Sequence, residues 1–290
     1  METGKRTWIT AIFLALSLSF ASLWVSAHAL SVTHHSLASP KLTAPIRIVQ
    51  LTDLHNSEFG AENSKLTEKV AAQEPDLILI TGDLLNQNEE RTDIAETLIR
   101  KLAEIAPVYF SYGNHEAAYE TRFHADIRKL YTDAGATVLE YDWLDLTVKS
   151  EKIRLGGIYG YCLPEEFEKE HPGKEKERQF LREFQSTDRY TILLCHMPVC
   201  WIQNGSLDAW DIDCVLSGHS HGGQMRFPLI GGLWAPDQGW FPGRMRGLYR
   251  SEDGRKVMVL STGLGNTEEL PRFNNIPEIL VLDLLPGEGE

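Results

Sequence analysis

Five short blocks of this sequence carry side chains that can hold a cation or move a proton: Asp53-Leu54-His55, Gly82-Asp83, Gly113-Asn114-His115-Glu116, His196 and Gly218-His219-Ser220-His221. Five of the ten histidines lie in these blocks, so the residue type is concentrated where carboxylates also stand. Carboxylate and amide oxygens mixed with imidazole suit manganese, zinc or iron better than calcium. Taken singly, each block has an ordinary explanation. Asp83 after a glycine could cap a turn, Asn114 could be a turn residue, and His196 before Met197-Pro198 could be a satisfied core histidine. His219 and His221 say more, because alternate residues of an extended backbone point the same way and would present both rings to one side. As a set the blocks resist the ordinary explanation. Five unrelated polar clusters would each have to be desolvated without a partner.

The elements that must position these blocks follow from apolar spacing. Ile46–Leu51, Leu77–Thr81 and Val108–Tyr112 read as buried strands, with helices expected over Ser64–Gln73, Thr92–Ala106 and near Tyr119–Ala134. This alternation implies an α/β fold with a largely parallel sheet. Further on, Leu144–Val148, Ile153–Tyr159, Thr191–Cys195, Cys214–Ser217 and Ile279–Leu284 read as strands. Pro164–Arg189 is a charged insertion, helical near its end, and Asp253-Gly254 marks a hairpin. The expected domain has a two-layered β core with helices outside. Each reactive block falls just after a strand, and ligands of open α/β sheets collect at the carboxyl ends of their strands.

The order Asp-x-His, Gly-Asp, Gly-Asn-His-Glu, a lone His and Gly-His-x-His resembles the calcineurin-like metallophosphoesterases, and the likeness runs from about Ile46 to Leu284. The stretch Gly218-His219-Ser220-His221-Gly222-Gly223-Gln224 is similar to a bacterial membrane-associated branch of that family. The resemblance implies a four-layer α/β/β/α sandwich and two divalent metal ions. One ion would be held by Asp53, His55, Asp83 and His221, the other by Asp83, Asn114, His196 and His219, with Asp83 bridging. Such a pair would clamp the phosphoryl oxygens and acidify a water for in-line attack. His115 would protonate the leaving oxygen or stabilise the phosphoryl charge. Glu116 would either orient His115 or stand solvated at a helix start. Gly82-Asp83 continues into Leu84-Leu85-Asn86-Gln87-Asn88 where protein Ser/Thr phosphatases of the superfamily have Asp-Arg-Gly, which argues against protein phosphatase activity. A binding module that had lost catalysis should lack a ligand or His115, and a metallo-β-lactamase-type enzyme needs a His-x-His-x-Asp-His run. Neither condition is met. A broad-specificity phosphomonoesterase and a non-catalytic metal-binding envelope protein remain the alternatives to a diesterase.

Composition narrows the partners. An apolar fraction of 42% is ordinary for a globular domain, and a net charge of −13 argues against a nucleic-acid partner, which usually needs a basic face. Residues 1–30 combine Lys5 and Arg6 with an uncharged run from Trp8 to Val25, the pattern of an export signal or a retained membrane anchor. The positive flank should stay cytoplasmic, which puts the remainder outside. Residues 31–44 read as a polar linker and residues 45–290 as the catalytic domain. The four cysteines lack CxxC spacing, and Cys195 and Cys214 read as small buried hydrophobes. Beside the last metal block, residues 225–249 combine Arg226, Arg244 and Arg246 with Trp234, Trp240 and Phe241. These arginines could receive a second phosphate and the aromatics a lipid chain, a sugar, a base or the membrane interface, or the segment could be a packed loop. Trp201, Ile202 and Trp210 could add an apolar wall near His196 or belong to the core. The expected substrate is a small or lipid-linked phosphoester, and the family resemblance adds the nucleotide-lipid UDP-2,3-diacylglucosamine as a named candidate, since related proteins hydrolyse it.

Overall fold

In a computed structural model, which describes residues 2–266 and 270–287, helix α1 (Glu2–His28) leads directly into strand β1 (Ser31–Ser39). Strands β2 (Ile46–Leu51), β3 (Leu77–Thr81), β4 (Val108–Ser111) and β5 (Ala136–Leu139) alternate with helices α2 (Ser64–Ala71), α3 (Asp93–Ala103), α4 (Asn114–Phe123) and α5 (Ile127–Asp133). Strands β6 (Asp142–Val148), β7 (Glu151–Ile158), β8 (Tyr190–Cys195) and β9 (Cys214–Ser217) follow, with α6 (Glu175–Gln185) before β8 and α7 (Val199–Gln203) and α8 (Ser206–Ala209) before β9. Two small hairpins pair β10 (Arg226–Phe227) with β11 (Gly231–Gly232) and β12 (Trp234–Ala235) with β13 (Gly239–Trp240). Strands β14 (Gly247–Arg250), β15 (Val257–Leu260) and β16 (Glu278–Pro286) complete the series.

The long strands form two six-stranded sheets, ordered β1-β16-β2-β3-β4-β5 and β14-β15-β9-β8-β7-β6. Their centres are parallel, from β2 to β5 in one sheet and from β15 to β7 in the other, as buried apolar runs joined by long crossovers allow, all of them helical except the one from β9 to β15. Alternation along the strands divides the core into three. Ile48, Leu79 and Leu282 pack between the sheets against Leu155, Ile192 and Leu216. Val49, Ile80 and Phe110 point outward and are covered by Leu66, Leu98 and Ile127 of α2, α3 and α5. On the far side Leu193, Val215 and Met258 are covered by Phe180, Phe184 and Leu207 of α6 and α8. The result is the expected four-layer α/β/β/α sandwich. The Asp253-Gly254 hairpin joins β14 to β15 with Gly254 left-handed.

Two expectations need correction, and one left open is decided. The segment read as a polar linker is in part a strand: β1 adds in parallel to β16 along its whole length, with Leu37 and the following Leu42 buried between the sheets. An edge strand exposes much of its surface, so its sequence lacks the apolar run that marks the interior strands. The helix expected near Tyr119–Ala134 is two helices broken at His124, whose backbone is left-handed (φ 54°). The first of them begins earlier, at Asn114, which puts Asn114 and His115 in its first turn. Trp201, Ile202 and Trp210 are core residues of the third cluster rather than an exposed apolar wall. All four cysteines are buried free thiols.

The strand assignment predicts that β1 amides bonded to β16 exchange slowly with deuterium, on the scale of the sheet interior. Exchange of residues 31–39 as fast as an unstructured peptide would contradict it.

Candidate metal centre

The five blocks converge where the carboxyl ends of β2, β3 and β4 meet those of β8 and β9. The two sheets are pinned together there by Gln50, whose side-chain amide donates to Thr81 Oγ1 in one sheet and to the Ser217 carbonyl in the other. Asp53, Asp83 and His196 are buried almost completely, and His55, His219 and His221 nearly so. Three sets of potential ligand atoms lie close together: Asp53, His55 and His221; His55, Asp83 and His115; and Asp83, His196 and His219. His196 Nε2 is 3.1 Å from Asp83 Oδ2, His55 Nε2 is 3.8 Å from the same oxygen, and His221 Nε2 is 3.4 Å from Asp53 Oδ1. The outer two sets therefore adjoin through His55 and Asp83.

Backbone conformation aims these side chains. Asp53, His55, Asp83, His219 and His221 all have positive φ, between 45° and 69°. For residues other than glycine, such strain costs roughly 1–3 kcal/mol each and collects at functional sites. It also overturns the expectation that His219 and His221 extend to one side. Left-handed backbone at His219 (φ 69°) and His221 (φ 45°), on either side of helical Ser220, replaces the extended path, so that His219 groups with Asp83 and His221 with Asp53. Glycines permit the close approach: a Cβ on Gly113 would sit 2.1 Å from Asp83 Oδ1, and one on Gly218 would sit 2.5 Å from Asp53 Oδ2.

Hydrogen bonds fix which ring nitrogens remain available. His196 Nδ1 donates to the Thr81 carbonyl at 2.7 Å, which leaves the Nε2 lone pair facing Asp83. His219 Nε2 donates to Asp237 Oδ2 at 3.0 Å, which leaves Nδ1. The Gln87 N–H donates to His115 Nδ1 at 3.1 Å, so the proton of the neutral ring sits on Nε2. The centre also attracts positive charge. Burial alone would raise Asp83, yet the positive charge of the adjacent His196, with His115 and His55, holds it well below the usual carboxylate range. Burial would lower His196, but Asp83 pushes it up to about 10. Burial takes His55 down to about 3 and raises Asp53. His196 Nε2, Asn114 Oδ1 and His55 Nδ1 are buried with no hydrogen-bond partner, and the His55 and His221 Nε2 atoms face each other at 3.2 Å. Unpartnered imidazole and amide lone pairs beside two carboxylates fit divalent cations, because water-free polar atoms are otherwise costly.

One site residue has a role other than the two expected of it, and two more had no clear signal in the sequence. Glu116 neither orients His115 nor stands in solvent. It is fully buried, and its carboxylate accepts the N–H groups of Asp83 (2.8 Å), Leu84 (2.9 Å), Leu85 (3.4 Å) and Gly113 (2.9 Å). Burial and the neighbouring Asp83 charge push it up to about 7 against the pull of those N–H groups. Its position three residues past Gly113 is that of a helix-capping glutamate, which is the signal that could have identified it. Asp237, from the turn between β12 and β13, fixes the His219 ring. Arg272 is fully buried beside His221, held by the carbonyls of Gly265 and Thr262, and burial brings it down to about 10. Of the arginines flagged in the sequence, Arg226 donates to the Gly222 carbonyl next to His221, Arg244 donates to the Ile202 carbonyl, and Arg246 is exposed.

Fold and site together define a phosphoesterase built around clustered metal-binding side chains. The sequence profile of the calcineurin-like phosphoesterases matches residues 46–223, and the chain belongs to that family. It is accordingly a metal-dependent phosphoric ester hydrolase, and the family and the residue clusters together point to a dinuclear divalent-metal site. It is 29% identical to an uncharacterized metallophosphoesterase of Campylobacter jejuni, over 95% of this chain and 69% of that one. It is 28% identical to the phosphodiesterase YaeI of Escherichia coli, over 83% of each chain. With the uncharacterized metallophosphoesterase YkuE of Bacillus subtilis it shares 27% identity over 98% of each chain.

Replacing Glu116 by Ala leaves at least three buried N–H groups without an acceptor, at about 1–3 kcal/mol each. Urea unfolding of Glu116→Ala should show a loss of about 3 kcal/mol or more. A loss under about 1 kcal/mol, the worth of one ordinary hydrogen bond, would mean that Glu116 is not the brace between these loops.

Proposed function

We propose that this chain uses a dinuclear centre of manganese, zinc or iron to cleave a phosphodiester or pyrophosphate bond. The substrate carries an apolar part and is met at the outer face of a membrane to which α1 tethers the enzyme. The observation that carries the catalytic reading is Asp83, whose carboxylate adjoins ligand atoms on both sides. In this reading Asp53, His55 and His221 would hold one cation and Asn114, His196 and His219 the other, with Asp83 placed to serve both. Paired divalent cations, when bound, polarise the phosphoryl oxygens and acidify an attacking water.

The chain's own groups supply the rest. His196, His219 and His115 are each oriented by a hydrogen bond at the ring nitrogen not used by the site, which fixes the tautomer before substrate arrives. His115 carries its proton on Nε2 and hands it to the departing oxygen. Arg272 adds a buried positive charge beside the first ligand set, helping an acidic protein accept an anion. The diester assignment is supported by the named activity of the Escherichia coli relative, and UDP-2,3-diacylglucosamine is the candidate substrate.

The tether rests on α1. Its segment Trp8–His28 is, among the described residues, the one helix long and apolar enough to cross a membrane. Its last turns also pack on the folded domain: Ser26 is buried, and the N–H groups of Asn274 and Asn275 donate to Ser22 Oγ and Ser26 Oγ at 2.9 and 3.2 Å. A segment made to be cleaved off has no need of such a seat, which favours a retained anchor over a cleaved signal.

Two variants test the catalytic reading. Asp83→Asn should lose metal by elemental analysis and lose turnover of bis(p-nitrophenyl) phosphate. His115→Ala should keep both metals while kcat falls by roughly 100- to 10,000-fold. If the metal-loaded parent cleaved neither that diester nor UDP-2,3-diacylglucosamine, the diesterase assignment would fail.

A further inference from the structure

We propose that the β10–β11 and β12–β13 hairpins dip into the headgroup layer of the same bilayer that α1 enters, so that the centre opens against lipid phosphates at the membrane surface. The proposal rests on reading α1 as a retained anchor and deepens the substrate assignment. Its first support is exposed apolar surface. At the hairpin tips Leu229 is 108% exposed and Ile230 61%, and Trp240 and Phe241 at the end of the second hairpin are 65% and 61% exposed. Soluble surfaces rarely gather large apolar side chains on adjacent protrusions without a partner for them.

The second support is connectivity. Asn274, whose N–H is seated on Ser22 of α1, also donates from its side chain to the Arg226 carbonyl at the base of the first hairpin. Phe227 of that hairpin packs on Phe273 with ring centroids 5.6 Å apart, and Met225 bridges to Phe273. Helix and hairpin are thus two sides of one short segment. The same hairpins frame the centre: Asp237 holds His219, and the Leu233 N–H donates to the Gly223 carbonyl two residues past His221.

The third support is length. A bilayer crossing needs about 20 predominantly apolar residues, and the apolar segment of α1 is 21 residues long, from Trp8 to His28. The crossing therefore uses the same turns, around Ser22 and Ser26, that are docked on Asn274 and Asn275. The docking segment must then lie at the membrane boundary, and the neighbouring hairpin tips with it. Their chemistry suits that depth: a tryptophan and aliphatic tips for the interface, with exposed Arg244 and Arg246 alongside for anionic headgroups. The rest of the domain is acidic and gains nothing from an anionic surface, so attachment has to come from this face.

The test uses the full chain in phosphatidylcholine–phosphatidylglycerol vesicles, with a spin label on Leu229→Cys and, as control, on Glu104→Cys at the exposed end of α3. The proposal expects the label at 229 to be relaxed more by dissolved oxygen than by a nickel chelate in the water, and the reverse at 104. Equal access of the chelate to both positions overturns it, as does dipolar broadening at 229 that reports a second copy of the chain instead of lipid. A second arm compares Leu229→Glu and Phe241→Glu with the parent on two substrates. Hydrolysis of a nitrophenyl phosphodiester of a long-chain alcohol carried in the vesicles should fall by about tenfold or more, while hydrolysis of soluble bis(p-nitrophenyl) phosphate stays unchanged. Equal loss on both substrates counts against insertion. Inertness of the parent on both would instead sink the diesterase reading and leave the label to decide the membrane question.

Discussion

Asp83 carries a negative charge in a place with almost no water, and the surrounding architecture can be understood as what that charge requires. One oxygen accepts the His115 N–H at 2.8 Å while the other faces His196 and His55. The residue itself is held in a left-handed conformation, with its N–H taken by Glu116 and its carbonyl by the His55 N–H at 3.1 Å. Glu116 also takes the Gly113 N–H, so one buried carboxylate locks the loop after β3 to the loop after β4. Burying two carboxylates this close is unfavourable without compensating positive charge. Paired cations would supply that compensation, with Arg272 as a positive charge of the chain's own.

The sandwich makes the convergence possible. Parallel strands deliver all their carboxyl ends to one edge, and two such sheets face to face bring two sets of loops together. Neither sheet alone carries a full set of donors: Asp53, His55, Asp83 and Asn114 follow strands of one, His196, His219 and His221 follow strands of the other. The strained backbones at five of these positions are supported by the packed core beneath, which gives the loops few alternative conformations.

The reactive blocks and the long buried strands were legible because both leave dense local signals: mostly apolar runs of four to six residues, each followed by a polar cluster. What escaped detection lacked such a signal. Strand β1 is a polar edge whose order comes from pairing with β16, far away in the chain. The role of Glu116, though not its place in a reactive block, and the part played by Asp237 depend on backbone groups and a ring nitrogen brought near only by folding. Arg272 stands in a stretch with no motif, and its burial is a tertiary fact. The left-handed backbone at His219 and His221 could not be foreseen from alternation, which holds only for an extended chain. The arginines after the last block were visible as a group, but their separate uses, bracing Gly222 and Ile202 or standing free, depend on neighbours distant in sequence.

The central claim is that one carboxylate is shared by two cations. Anomalous diffraction from crystals grown with manganese measures it most directly. The account predicts two peaks about 3.5–4 Å apart, one against Asp53, His55 and His221, the other against Asn114, His196 and His219, both touching Asp83. A single peak, or two peaks that do not share Asp83, would contradict it.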